Sequence, residues 1–196
     1  LSKLGIKLGI GFDIAENMVQ FAQASADSLG YPCTFVATDI LNIDEKYQHQ
    51  FDLIVVTIGA LPWFQDLNPF FEKVSACLKQ DGLLLVHEAH PVTGMIALEG
   101  EDHYTEDYPA NLAYSYFKKE PWIETQGMGY MNDDSQSFSE TFTSFSHPLS
   151  EVITACVSHQ LNLVKLEEYD VDISDGFGHL DHLGIPLSYI LVAKKI

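Results

Sequence analysis

The chain has 196 residues, 46 % of them hydrophobic, which fits one domain with a sizeable core and excludes wholesale disorder. Its 28 Asp and Glu against 10 Lys, with no Arg, give a formal net charge of −18. That balance repels phosphate backbones and anionic membranes, and a chain without a guanidinium fork is poorly suited to a highly phosphorylated substrate.

The first predicted element is a short buried strand over 6–12, with Asp13 just past its end in Gly9-Ile10-Gly11-Phe12-Asp13. A helix over 15–29 should follow, with Met18, Phe21 or Ala22, Ser25 or Ala26, and Leu29 on its buried face. Gly30 supplies its C-cap and Pro32 blocks continuation. Thr34–Ala37 reads as the second strand, closed by Thr38-Asp39. Residues 51–58 form a near-continuous apolar run, the mark of a parallel strand covered on both faces. Asn68 as N-cap and Pro69 at the first helical position open a helix with Phe70, Phe71, Val74, Cys77 and Leu78 as its buried stripe. Asp81-Gly82 ends it, and 83–87 is the next strand.

Strand and helix alternate through residue 90, which predicts an α/β protein with a mostly parallel sheet. Such sheets bind ligands beyond the carboxyl ends of their strands. Asp13, Asp39, Gly59 and Glu88 each fall at such a place.

The pattern changes at about 91–145, where aromatic, Gly and acidic residues dominate. Tyr114–Phe117 and Phe138–Phe145 alternate at period two, so an inserted β-rich cap is expected, either over a substrate pocket or as a dimer surface. A helix over 149–161 follows, with Val152, Ile153, Cys156, Val157 and Leu161 on its apolar face. Strands over 163–169 and 188–193 close the chain. The connection between them is poor in apolar residues and lacks a helix, so they should pair antiparallel.

Cys33, Cys77 and Cys156 are far apart and form no CxxC pair, which suits reduced buried thiols in a cytoplasmic protein rather than a metal centre or disulfide framework. No apolar run reaches membrane-spanning length, and the first residues lack the order of a secretory leader.

The ordered segments resemble the class I S-adenosylmethionine-dependent methyltransferases, most closely their small-molecule branch. The likeness lies in G-x-D-x-A-x-x-M after one strand, T-D after the next, F-D-L-I-V, L-K-x-D-G-L-L-L and the final hairpin. It implies a Rossmann-like fold in a single domain over 1–196, S-adenosylmethionine as cofactor, and transfer of its methyl group to a small soluble acceptor. It also implies that Asp13 takes the ribose hydroxyls and Ile14 packs on adenine. Asp39 and the Ile40 N–H would meet the adenine edge, and Ile58, Gly59, Ala60 and Trp63 would lie beside the methionine part. Glu88, Tyr114, Tyr116 and His147 are acceptor-side candidates, with His90 as the catalytic acid–base candidate.

Each assignment has a plainer counterpart. Asp13 could start a helix, Asp39 a turn; Gly59 could end a strand, Trp63 sit in the core, and His90 be a structural histidine held by Glu88 or Tyr116.

The resembling family begins with a strand and glycine-rich loop that cradle the cofactor's amino-acid end. Leu1–Gly5 matches the end of the helix after that loop, so the chain is expected to be N-terminally incomplete, with unpaired strand edges at 6–12 and 51–58. Those edges make a homodimer a candidate assembly. They also keep open a catalytically inactive relative with a nucleoside-binding or dimeric structural role. A nicotinamide-dependent oxidoreductase would share the acidic residue after a strand, but G-x-G-x-x-G is missing from the sequence.

Overall fold

The computed structural model describes residues 3, 5–124 and 141–196. It divides into two compact units, Leu1–Gln48 and His49–Ile196.

In the first unit, strand β1 (Gly9–Asp13) pairs in parallel with β2 (Cys33–Ala37), and helix α1 (Glu16–Leu29) connects them. The register runs from Gly9 opposite Cys33 to Asp13 opposite Ala37. This pairing explains the two glycines of β1. A Cβ on Gly9 would lie 2.9 Å from Cys33 Sγ, and one on Gly11 would lie 2.5 Å from the Phe35 ring. Side chains of β2 fold over β1, so a Cβ at either position would force Cys33 or Phe35 to move. Helix α1 ends at Gly30, whose φ of 66° is the left-handed conformation expected of a C-cap glycine.

The buried face of α1 takes the Ala22 and Ala26 alternatives of the predicted one and leaves Met18, Phe21 and Leu29 outside. Val19 and Ala26 are buried, while Phe21 is 71 % and Leu29 65 % exposed. The sequence carries two apolar stripes at helical spacing, and the inward one is the small-residue stripe, Val19, Ala22 and Ala26. Small side chains let a helix axis approach a sheet closely, which a Phe-lined face does not.

In the second unit, β3 (Phe51–Val56) is followed by α2 (Leu67–Cys77) and β4 (Leu78–Ala89). Next come β5 (Trp122–Glu124), β6 (Phe142–Ser144), α3 (Leu149–Ser158), β7 (Leu161–Tyr169) and β8 (Ser188–Lys195). The main sheet has the order β3-β4-β8-β7. β3 and β4 are parallel, and β8 runs antiparallel to both β4 and β7. Both helix-linked strand pairs are thus parallel, and the last two strands form the expected antiparallel hairpin. Among the described residues, β1 pairs only with β2 and β3 only with β4. Leu53 is accordingly 41 % exposed, short of the two-sided cover that its apolar run predicts.

Helix α2 starts slightly earlier than its sequence suggests. Asp66 is the N-cap, accepting the Asn68 N–H at 2.9 Å, and Asn68 and Pro69 lie inside the first turn. The helix ends at Cys77, before Asp81-Gly82. Residues 79–82 instead bulge out of β4, between the pairs Phe51–Leu78 and Leu53–Leu83. The core of this unit is built from Leu67, Phe71, Leu78, Leu84, Val86, Val152, Leu161, Tyr189 and Leu191, all essentially closed to solvent.

Within the insertion, β5 and β6 pair antiparallel. Tyr114–Phe117 is a turn rather than the predicted strand, and of 138–145 the residues 138–140 lie outside the described residues. The connection from β7 to β8 has its own apolar anchor: Phe177, Leu180 and Leu187 pack with Ile96 of the insertion. The low apolar content of that connection concealed this small second core. No helix among the described residues is long and apolar enough to cross a membrane.

Candidate functional site

The second unit holds a cavity of about 250 Å³ beyond the carboxyl end of β4. Glu88, Ala89 and His90 form its edge at the end of that strand; the turn after β3, the insertion, the approach to α3 and its start, the β7–β8 connection and β8 supply the rest. Five residues named from the sequence line it together: Glu88, His90, Tyr114, Tyr116 and His147.

Glu88 is buried and collects backbone donors. Its carboxylate accepts from the N–H groups of Gly59 (2.7 Å), Ala60 (3.1 Å), Leu61 (3.3 Å) and its own neighbour Ala89 (3.0 Å). These bonds fold the turn after β3 onto the end of β4. Burial nonetheless pushes its carboxyl above the ordinary range, against the pull of those donors. Gly59 has a φ of 81°, so the turn needs glycine, and no heavy atom lies within 4 Å of the place a Cβ would take.

His90 is also buried, and both its ring nitrogens are engaged. Nδ1 accepts the Val92 N–H at 3.2 Å, so Nε2 carries the proton and donates to Glu168 Oε1 at 2.8 Å. Burial lowers its pKa, outweighing the partly exposed Glu168 that raises it. The ring is therefore neutral and presents no free lone pair to the cavity. The partner is Glu168 on β7, not Glu88 or Tyr116.

His147 donates from Nε2 to the Phe64 carbonyl at 2.7 Å. Its buried Nδ1 has no hydrogen-bond partner, although Glu151 Oε1 is 3.4 Å away. Tyr116 accepts the Leu149 N–H at 3.0 Å and so closes the N-terminus of α3, which has no side-chain cap of its own. Tyr114 donates to Glu101 Oε2 at 3.2 Å, and its ring meets Trp122 edge to face at 4.8 Å. Burial and then the Glu101 charge raise its hydroxyl pKa. The Trp122 indole donates to Ser146 at 2.8 Å.

Glu101, Trp122, Phe177 and Tyr189 line the cavity without having been singled out from sequence. Tyr189 had a legible signal: it is an inward position of the alternating final strand and sits opposite Glu88. Trp63 is 43 % exposed and packs against Phe142, so it is not a core residue.

In the first unit, Asp13 is the last residue of β1 and exposed. Its Oδ1 accepts the Ala15 N–H at 2.8 Å, and its other oxygen takes no hydrogen bond from the described residues. Ile14 beside it is 76 % exposed. Asp39 caps the short turn Ile40–Asn42, accepting from the Leu41 N–H at 2.9 Å and the Asn42 side chain at 3.0 Å.

Residues 5–135 match a family model described as a methyltransferase domain. No curated protein sequence matches the chain. Among solved structures, it is similar to a Listeria monocytogenes protein assigned as an S-adenosylmethionine-dependent methyltransferase. That match has 16 % identity and a TM-score of 0.68, over 99 % of this chain and 83 % of that one. A Methanosarcina mazei protein of the same description matches at 15 % identity and a TM-score of 0.65, over 95 % and 81 % of the two chains. Geranyl diphosphate methyltransferase, solved with S-adenosylmethionine, matches at 10 % identity and a TM-score of 0.59, over 95 % and 68 %. The family match and the Rossmann-like α/β fold agree: the chain belongs to the methyltransferase-domain family of class I fold.

Proposed function

We propose that this protein transfers a methyl group from S-adenosylmethionine to a small soluble acceptor held in the cavity beyond β4. The observation that carries this reading is the cavity itself, enclosed by the insertion at the strand end where α/β sheets bind ligands, in a chain of a methyltransferase family.

The residues present fit the donor. In the first unit, the uncommitted oxygen of Asp13 suits a ribose diol, and exposed Ile14 offers an apolar surface to adenine. Asp39 keeps a second lone pair on each capped oxygen for the adenine amine, beside Ile40. In the second unit, the open outer side of Gly59 leaves room for the methionine part beside Ile58 and Ala60, and the exposed Trp63 ring suits a sulfonium. When bound, S-adenosylmethionine supplies an electrophilic methyl carbon: the acceptor lone pair forms the new bond as the S–CH₃ bond breaks, its electrons staying on sulfur.

The protein's part is placement. Glu88 fixes the Gly59–Leu61 turn, and Tyr114, Tyr116 and His147 shape the cavity and keep water out. His90, neutral and doubly hydrogen-bonded, holds the wall through Glu168 rather than taking a proton from the acceptor. The three cysteines, in no disulfide among the described residues, suit a cytoplasmic setting, and burial pushes the Cys156 thiol up to about 12, too high for a nucleophile.

The test is release of S-adenosylhomocysteine from S-adenosylmethionine in the presence of fractionated small metabolites. Release that depends on one fraction supports the reading. Donor binding without release from any fraction supports the inactive relative instead.

A further inference from the structure

Resting on the acceptor-cavity reading above, we propose that the cavity recognises its small molecule by an amine: an aromatic or similarly flat body carrying a protonated amino group, held at Glu101. The amine is the handle by which the molecule is bound.

The charges around the cavity run one way. Its ionisable lining residues include the carboxylates Glu88 and Glu101, and no Lys is among the lining residues. Most of the groups nearby that can carry positive charge are engaged elsewhere; the exceptions are His147 Nδ1, which has no hydrogen-bond partner, and His103, whose ring stands edge to face with Tyr114 at 5.7 Å. His90 Nε2 donates to Glu168, and His147 Nε2 to the Phe64 carbonyl. Lys118 Nζ sits 4.5 Å over the Trp122 ring and donates to the carbonyls of Glu120 (2.6 Å) and Pro121 (3.2 Å). Lys119 lies 3.7 Å from Glu151. A carboxylate or phosphate entering this cavity would shed water and meet no lysine ammonium in the lining.

An ammonium finds the opposite situation. Glu101 Oε2 is taken by the Leu98 N–H at 2.8 Å and the Tyr114 hydroxyl at 3.2 Å, while Oε1 accepts nothing from the described residues. The Tyr114 hydroxyl thus orients a carboxylate with one free oxygen, and its ring stands edge to face with Trp122. A carboxylate oxygen next to aromatic rings is the chemistry that holds an organic ammonium with a flat apolar body.

Calorimetry with three near-isosteric probes tests this: phenethylamine, 2-phenylethanol and 3-phenylpropionate, each titrated into the whole chain. Phenethylamine should bind roughly tenfold or more tightly than 3-phenylpropionate, with the alcohol between them. Glu101→Gln should remove most of that preference, while Glu99→Gln, which deletes the same charge outside the cavity, should keep it. Equal or tighter binding of the acid, no binding of the amine, or an unchanged preference in Glu101→Gln would overturn the proposal. Titrating S-adenosylhomocysteine in the same preparation separates the two readings. Donor-product binding without amine preference rejects only the amine handle, and amine preference without donor-product binding rejects only the methyl-donor assignment.

Discussion

Glu88 and His90 sit two residues apart on the same strand end and do different work. Glu88 gathers four backbone N–H groups into a buried carboxylate. Glu88→Gln replaces one acceptor oxygen with a donor that faces other donors. Urea unfolding should show a loss of about 1–3 kcal/mol, the range for stranding buried polar groups; an unchanged midpoint would contradict the turn-holding role. His90 makes a pH prediction. Burial depresses its pKa below the ordinary 6.5, so the folded state binds the proton less readily than the unfolded chain. The stability it contributes is complete above pH 6.5 and is lost as pH falls through the depressed value. The thermal midpoint of the wild type should therefore drop on acidification below about 6.5, and in His90→Gln that part of the slope should be missing. The sequence placed both residues at the strand end. Which atoms they meet depends on β7 lying two strands away and on the bend of the Gly59 turn, and neither is encoded locally.

Elements were legible where one physical signal dominates. The helix-linked parallel pairs followed from alternation, and the antiparallel close from a helix-free connection. They were left open or misread where two signals compete. Helix α1 offers an aromatic and an alanine stripe, and the close-packing one faces inward. Asp66 outcompetes Asn68 as N-cap because it stands one residue before the helix and has the free carboxylate. Helix α3 shows a cap borrowed from another element, the Tyr116 hydroxyl on the Leu149 N–H. Tyr116→Phe removes that acceptor and keeps the ring, so it should lower stability by about 0.5–1.5 kcal/mol. The check is chemical denaturation of the two proteins side by side, and equal stability would show that water caps the helix as well. No pattern in Tyr114–Phe117 announces this, since its period-two alternation reads as a strand and the contact spans 33 residues of sequence.

At the scale of the whole molecule, the charge of −18 governs the electrostatics outside the core. Self-repulsion of that size opposes compaction and is screened by salt. Raising sodium chloride from about 0.05 to 0.5 M, which shortens the screening length severalfold, should raise the thermal midpoint. A fall would mean that the pairs Lys79–Asp52 and Lys194–Asp81 outweigh the general repulsion. The same scarcity of cationic residues shows in the cavity wall, which carries carboxylates and no Lys.

Family and fold agree with the ordered motifs, and the donor site we propose includes a ribose contact at Asp13, whose exposed carboxylate keeps one oxygen uncommitted. Calorimetric titration of S-adenosylmethionine into the wild type and Asp13→Ala tests it. The wild type should bind at one site, and the variant should lose at least roughly tenfold in affinity. Equal affinity in the two proteins, or no binding by a folded wild type, would contradict it.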